Sequence, residues 1–293
     1  MPLLNKLSLA CVLCIAAAAA AHAEEPAGTL QKIKASGVIA VGYRPASVPF
    51  SMRDRAGTPA GYTLDLCARI IDNVRKELGL ADIKVRHVEV KSSDRIQKLL
   101  DGEIDLECGS TTNTRERSAQ VTFANTIFVT SSRILTLAAS PIKGIDGLKG
   151  QRVAIAQGAS VAPLLSKIDV EKGLNIQYVR VKDFAEGFQA LEAGRVAAFV
   201  SDDIQFAQYI ARSTRPQDYA VVGEPISVDP LGIMMRRQDA RLHAIANQTL
   251  AGLAASGEFE RIYAKWFVTP TLKFPMGETL RKLLKAPNNQ ANY

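Results

Sequence analysis

The sequence predicts an α/β fold of two lobes, each a mostly parallel sheet flanked by helices, with two crossings of the chain between them. Three observations carry this. Apolar, strand-like runs alternate with helix-periodic segments along most of the chain, which is the pattern of βαβ units. The stretch Ile96-Gln97-Lys98-Leu99-Leu100-Asp101-Gly102-Glu103-Ile104 recurs 92 positions later as Phe188-Gln189-Ala190-Leu191-Glu192-Ala193-Gly194-Arg195-Val196. Two extended segments, 130–133 and 226–230, are placed to take the chain out of the first lobe and bring it back.

In chain order, Val38-Ile39-Ala40-Val41 is the first strand, a β-branched run. Residues 61–78 form a helix, with Leu64, Ala68, Ile71 and Val74 on one face. Residues 83–90 alternate as a strand does, 94–100 are helical, and 104–108 return as a strand. The second half repeats the plan: strands at 153–156, 176–181 and 196–200, helices at 161–168 and 185–193. Gly102 and Gly194 each stand where a helix ends in a left-handed cap before the next strand. A strand at 231–235 and helices from Asp239 and Gly257 then complete the first lobe, so that 24–130 plus 229–293 make one lobe and 131–228 the other. The tail from Met276 carries a helical patch around 280–284 and a polar end with the composition of a disordered segment.

Residues 1–23 have the layout of a cleavable secretory leader: Lys6, an apolar stretch over 7–21, and Ala21-His22-Ala23, with the cut expected after Ala23. The apolar stretch is short for a membrane span. Cys11 and Cys14 lie inside it; Cys67 and Cys108 lie beyond. Export implies an oxidising compartment, which permits a disulfide, while two small buried side chains are an equal alternative.

Lys and Arg number 36 against 29 Asp and Glu, a net charge of +7. That mild excess suits an anionic ligand or plain solubility. The basic residues are scattered and do not interleave with aromatics, which argues against nucleic acid.

Ligands of parallel α/β sheets sit beyond the carboxyl ends of the strands. Those edges are 44–47, 92–95 and 110–117 in the first lobe, and 157–160, 183–184 and 201–203 in the second. They hold Arg44, Arg95 and Arg117, several hydroxyls and the pair Asp202-Asp203. Arginine forks match carboxylates in pairs of charged hydrogen bonds, and an ammonium calls for a carboxylate such as Asp202. The set reads as a site for two anionic groups and one cation, as in glutamate or aspartate. The bland alternatives are solvated arginines, an aspartate pair that only caps a helix, and hydroxyls that complete turns. No Gly-x-Ser-x-Gly elbow, phosphate loop or His-Glu-x-x-His is present, and only His87 and His243 follow the leader, so no enzyme, cofactor or metal is expected.

Val41-Gly42-Tyr43-Arg44, Val48-Pro49-Phe50-Ser51, Gly61-Tyr62-Thr63-Leu64-Asp65 and Glu107-Cys108-Gly109-Ser110-Thr111-Thr112-Asn113 resemble the glutamate/aspartate-binding proteins of polar amino acid ABC importers, in solute-binding protein family 3. The resemblance implies a type II periplasmic-binding-protein fold and a monomer that delivers its ligand to membrane permease subunits. It also implies roles: Arg117 and Thr112 on the α-carboxylate, Asp202 and Ser110 on the α-ammonium, Arg44, Ser92 and Arg95 on the side-chain carboxylate, and Ser160 where the second lobe closes. One position departs. Phe184 stands where the family carries a histidine, and its offset partner Ser92 places it toward the cleft. A phenyl ring cannot donate a hydrogen bond, so the balance of glutamate against aspartate is open. Glutamine or asparagine binding, a sensor subunit, and a dehydratase-like relative acting on a small carboxylated metabolite are the alternatives.

Overall fold

The computed structural model describes residues 28–292. The leader, with Cys11, Cys14 and the cut expected after Ala23, lies outside them.

The first lobe opens with α1 (Thr29–Ser36) and β1 (Val38–Tyr43), then a small sheet of β2 (Ala46–Ser47), β3 (Ser51–Arg53) and β4 (Pro59–Ala60). α2 (Tyr62–Leu78), β5 (Lys84–Glu89), α3 (Arg95–Leu100), β6 (Leu106–Thr112), α4 (Arg115–Ser118) and β7 (Thr122–Phe123) follow. β8 (Phe128–Leu137) crosses to the second lobe, which holds β9 (Arg152–Ala156), α5 (Val161–Lys172), β10 (Gln177–Val181), α6 (Phe184–Glu192), β11 (Ala198–Asp202) and α7 (Asp203–Arg212). β12 (Tyr219–Met235) returns, and α8 (Ala240–Ala255), α9 (Glu258–Phe267) and α10 (Glu278–Lys285) end on the first lobe.

The lobes share one sheet rather than owning one each. Its order among the described residues is β10-β9-β11-β8-β12-β6-β1-β5, with β7 beside β12. Pairing is parallel in both flanks, β10-β9-β11 and β6-β1-β5. It is antiparallel at the centre, where β8 and β12 pair with each other and with their neighbours. β12 runs 17 residues and shifts register between Val222 and Ser227, which lets one strand serve two differently oriented sheet halves.

Helix α2 forms because its apolar residues fall three and four apart: Leu66, Cys67, Ile70, Ile71 and Val74 are all buried on one side. That side meets α8, α9 and an aromatic cluster in which Phe50 and Phe128 lie 4.9 Å apart and Tyr62 and Phe267 5.0 Å. Two further cores fill the second lobe on either side of its sheet. Ile204 and Ala207 of α7 pack into the first core, so this helix touches both lobes. Cys67 on α2 and Cys108 on β6 are joined by a disulfide. Gly102 and Gly194 adopt φ of 76° and 65°, the left-handed conformation the internal repeat predicts for both.

Two expectations need correction. The strands ending the two repeats begin later than the apolar pattern suggests, at Leu106 and Ala198, and β6 runs on through Thr112. All seven residues of β6 are buried, polar ones included, because α/β crossovers cover both of its faces. The polar tail is not loose. Asn292 pairs with Thr114, the amide of Asn292 donates to Asn113 O, and Thr126 N donates to Asn288 O. The Asn113 side-chain amide donates to Asn289 O at 2.7 Å. The tail is held largely through main-chain atoms, with the Asn289 side chain donating to Phe123 O, pairings that composition does not encode.

Candidate functional site

All nine residues singled out as ligand contacts line one small cavity between the lobes. From the first lobe come Arg44 directly after β1, Ser92 in the turn before α3, Arg95 as the first residue of α3, Ser110 and Thr112 on β6, and Arg117 on α4. From the second come Ser160 at the start of α5, Phe184 as the first residue of α6 and Asp202 at the end of β11. Every one stands at a carboxyl end of a strand or the start of the next helix, where the topology turns side chains into the crevice.

The arginines are not solvated. Arg44, Arg95 and Arg117 are 4 %, 3 % and 9 % exposed. Arg44 donates from Nη1 to Ser110 Oγ at 3.2 Å and from Nη2 to Ser92 Oγ at 2.5 Å, and its guanidinium lies over the Phe184 ring. Burial, and then the charge of Arg95, bring its pKa down to about 10. Arg117 donates to Thr112 O at 2.8 Å and across the cleft to Gly158 O at 2.9 Å. Arg95 is the least engaged: its buried Nε has no hydrogen-bond partner among the described residues. A buried guanidinium with an unused donor is costly unless something accepts from it.

Asp202 is the N-terminal flank of α7, yet its side chain caps nothing. Burial, reinforced by Asp229 and Asp203 and opposed by Arg44 and Arg117, pushes its pKa up to about 8. With no cap bond made, the helix-cap alternative fails for Asp202, and its environment favours the protonated carboxyl, a preference that a bound cation would reverse. Ser110 and Thr112 complete no turn either; both lie within β6.

Four partners were not singled out from the sequence. Ser47 Oγ lies 2.6 Å from Ser110 Oγ and fixes that hydroxyl. Glu107 is fully buried behind Arg44 and Arg95, whose charges it favours, and accepts from Thr111. Its signal was available: a carboxylate flanked by Leu106 and Cys108 within a strand. Asp229 accepts from Ser132 at 2.9 Å and Ser227 at 2.6 Å, joining the two crossings. Gly158 was flagged only as part of a strand-edge segment. Across the cleft, Ser160 Oγ donates to Thr112 Oγ1 at 3.0 Å.

Around the cavity three guanidiniums face one lining carboxylate, with Glu107 behind them. The cationic surplus fits an anion that brings its own ammonium for Asp202. The profile of bacterial extracellular solute-binding proteins, family 3, matches residues 39–269. The chain belongs to this family. Among its relatives is the L-glutamate/L-aspartate-binding protein of Pseudomonas aeruginosa, 39 % identical over 276 residues, covering 92 % of this chain and 91 % of that protein. The glutamate/aspartate import solute-binding protein of Salmonella typhimurium is 37 % identical, covering 98 % of this chain and 99 % of its own length. A crystal structure of a mutant ArgBP from T. maritima aligns with a TM-score of 0.73 at 27 % identity, covering 82 % of this chain and 99 % of that one. The solute-binding fold is thus the one described above. No helix among the described residues is long and apolar enough to cross a membrane.

Proposed function

We propose that this solute-binding protein captures acidic L-amino acids, glutamate and aspartate, in the periplasm and delivers them to the membrane permease subunits of an ABC importer. The observation that carries the proposal is the buried trio Arg44, Arg95 and Arg117 facing Asp202 in a cavity to which both lobes contribute. The names of its relatives from Pseudomonas aeruginosa and Salmonella typhimurium support the same ligand class.

In this proposal Arg117 and Thr112 take the α-carboxylate, Asp202 and Ser110 the α-ammonium, and Ser92 and Arg95 the side-chain carboxylate, with Arg44 held beside them. The unused Nε of Arg95 and the raised pKa of Asp202 are the two local imbalances such a ligand removes at once. Ser160 and Phe184 come from the second lobe, so the closed state has contacts the open state lacks, and ligand shifts the population toward closure. The protein acts as a monomer, without catalysis, after removal of residues 1–23, with lobes divided at 130/131 and 228/229.

A thermal-shift screen of the twenty amino acids on the protein from Glu24 onward tests this, because a ligand that binds only the folded state raises its melting temperature. Glutamate and aspartate should give the largest shifts. Stabilisation by lysine or glutamine in their place would overturn the ligand class, and consumption of glutamate followed by mass spectrometry would overturn the non-catalytic role.

A further inference from the structure

Gly158 lies on the loop between β9 and α5, with φ of 73°. A Cβ built there would stand 2.5 Å from the carbonyl oxygen of Ser92, 2.8 Å from its carbonyl carbon and 3.2 Å from the Cα of Ser93. All three atoms are main chain of the opposite lobe. They cannot swing aside as the end of a long side chain would. The same loop is tied to the first lobe at two other points: Gly158 O accepts from Arg117, and Ser160 donates to Thr112. Ser92 in turn accepts from Arg44. One short loop of the second lobe therefore rests on two separate segments that carry site residues.

We infer that Gly158 is the residue that sets how far the lobes close. A hydrogen in place of a Cβ lets the second lobe seat directly on the Ser92-Ser93 backbone, and this approach brings Ser160 and Phe184 within reach of the cavity. A methyl group would act as a wedge at the contact. The inference rests on the cavity being a cleft between closing lobes, as proposed above, and makes Gly158 a positioning residue that acts through the seating of one lobe on the other.

Gly150 supplies the control. It also lies in the second lobe with φ of 68°, but nothing stands within 4 Å of an added Cβ. Alanine there brings the same backbone strain without the collision. In a Thr112→Cys/Ser160→Cys background, built on hydroxyls 3.0 Å apart, the thiols meet only when the lobes are closed. Disulfide formation under oxidised glutathione then reports closure without any ligand. Adding Gly158→Ala is expected to slow this cross-link by about tenfold or more, and adding Gly150→Ala by less than about twofold. With the cysteines absent, Gly158→Ala is expected to weaken L-glutamate binding by roughly 100-fold and to remove the ligand-induced fall in radius of gyration seen by small-angle scattering. Cross-linking of the Gly158→Ala protein at the parent rate, or a parent pair that never cross-links, overturns the inference. A wild-type protein that ignores L-glutamate while the cross-linking pattern holds sinks the ligand assignment and leaves the closure role standing.

Discussion

The guanidinium carbon of Arg44 lies 5.1 Å from the centre of the Phe184 ring, so a cation of one lobe is roofed by an aromatic face of the other. Arg44 already spends donors on Ser92 and Ser110, and the ring covers a face that water would otherwise hold. Cation–π contacts contribute about 0.5–2 kcal/mol depending on desolvation. Phe184→Leu keeps an apolar side chain and removes the π face, so it should weaken glutamate binding by that amount in calorimetry. An unchanged Kd would mean the ring only fills space.

Arg95, with an unused donor, and Asp202, held toward its protonated form, are the two groups a ligand's charges would engage most directly. Replacing either with alanine leaves the opposite charge of the ligand buried without its partner, at a cost of about 3–5 kcal/mol of binding. Arg95→Lys should recover little of it, since an ammonium cannot reproduce the planar fork. A loss below about tenfold, roughly 1.4 kcal/mol, would place the residue outside the ligand's reach.

Asp202 makes binding depend on pH. Its pKa in the folded protein, about 8, lies above that of an unfolded aspartate, so the folded protein retains a proton the unfolded chain releases. Without ligand, this group lowers stability as pH rises from about 4 to about 8. Pairing with an ammonium requires the carboxylate, so binding at neutral pH should expel a proton and strengthen as pH rises toward 8. Calorimetry in buffers of differing ionisation heat counts that proton. Asp229→Asn removes a neighbouring negative charge and should move the midpoint to lower pH. Binding heats that are the same in every buffer would contradict this role for Asp202.

A second buried ion network lies away from the cleft. Arg236 donates to Leu99 O, Ile104 O, Thr29 and Asp105, and pairs with Asp239 at 3.3 Å, tying α1, the end of α3 and the start of α8 together. Arg236→Met strands the fully buried Asp105, leaving it with half-exposed Lys32 as its cation. Stability should fall by about 3–5 kcal/mol in urea titrations, with the Kd for glutamate unchanged. A variant as stable as the parent would show that solvent reaches Asp105.

The α/β alternation, the repeated helix-Gly-strand unit and the strand-edge rule marked six segments that together hold all nine cavity residues, because strand ends follow from local spacing and sheet topology; which residues within those segments were singled out came from the family resemblance. Less legible was whatever depends on partners distant in sequence. Residues 110–112 read as lying beyond the strand end because their hydroxyls suggest solvent; in the fold they are strand, with Ser110 facing Arg44 and Ser47 and Thr112 facing Ser160. The long β12 was visible only in pieces, since its register shift interrupts the alternation. The importance of Gly158 lies in another segment's backbone, and no property of the residue itself announces it.

The return of β12 to the first lobe has a consequence for biogenesis. A chain grows from its N-terminus, and the second lobe has all of its strands once Tyr219–Val222 have paired with β8. At that moment α2 still waits for α8 and α9 to cover its apolar side, and Asn113 waits for the last residues of the tail. A chain that emerges from its N-terminus therefore has the partners for its middle in hand before those for its beginning, and the half that supplies all three arginines is the last to have its sequence complete.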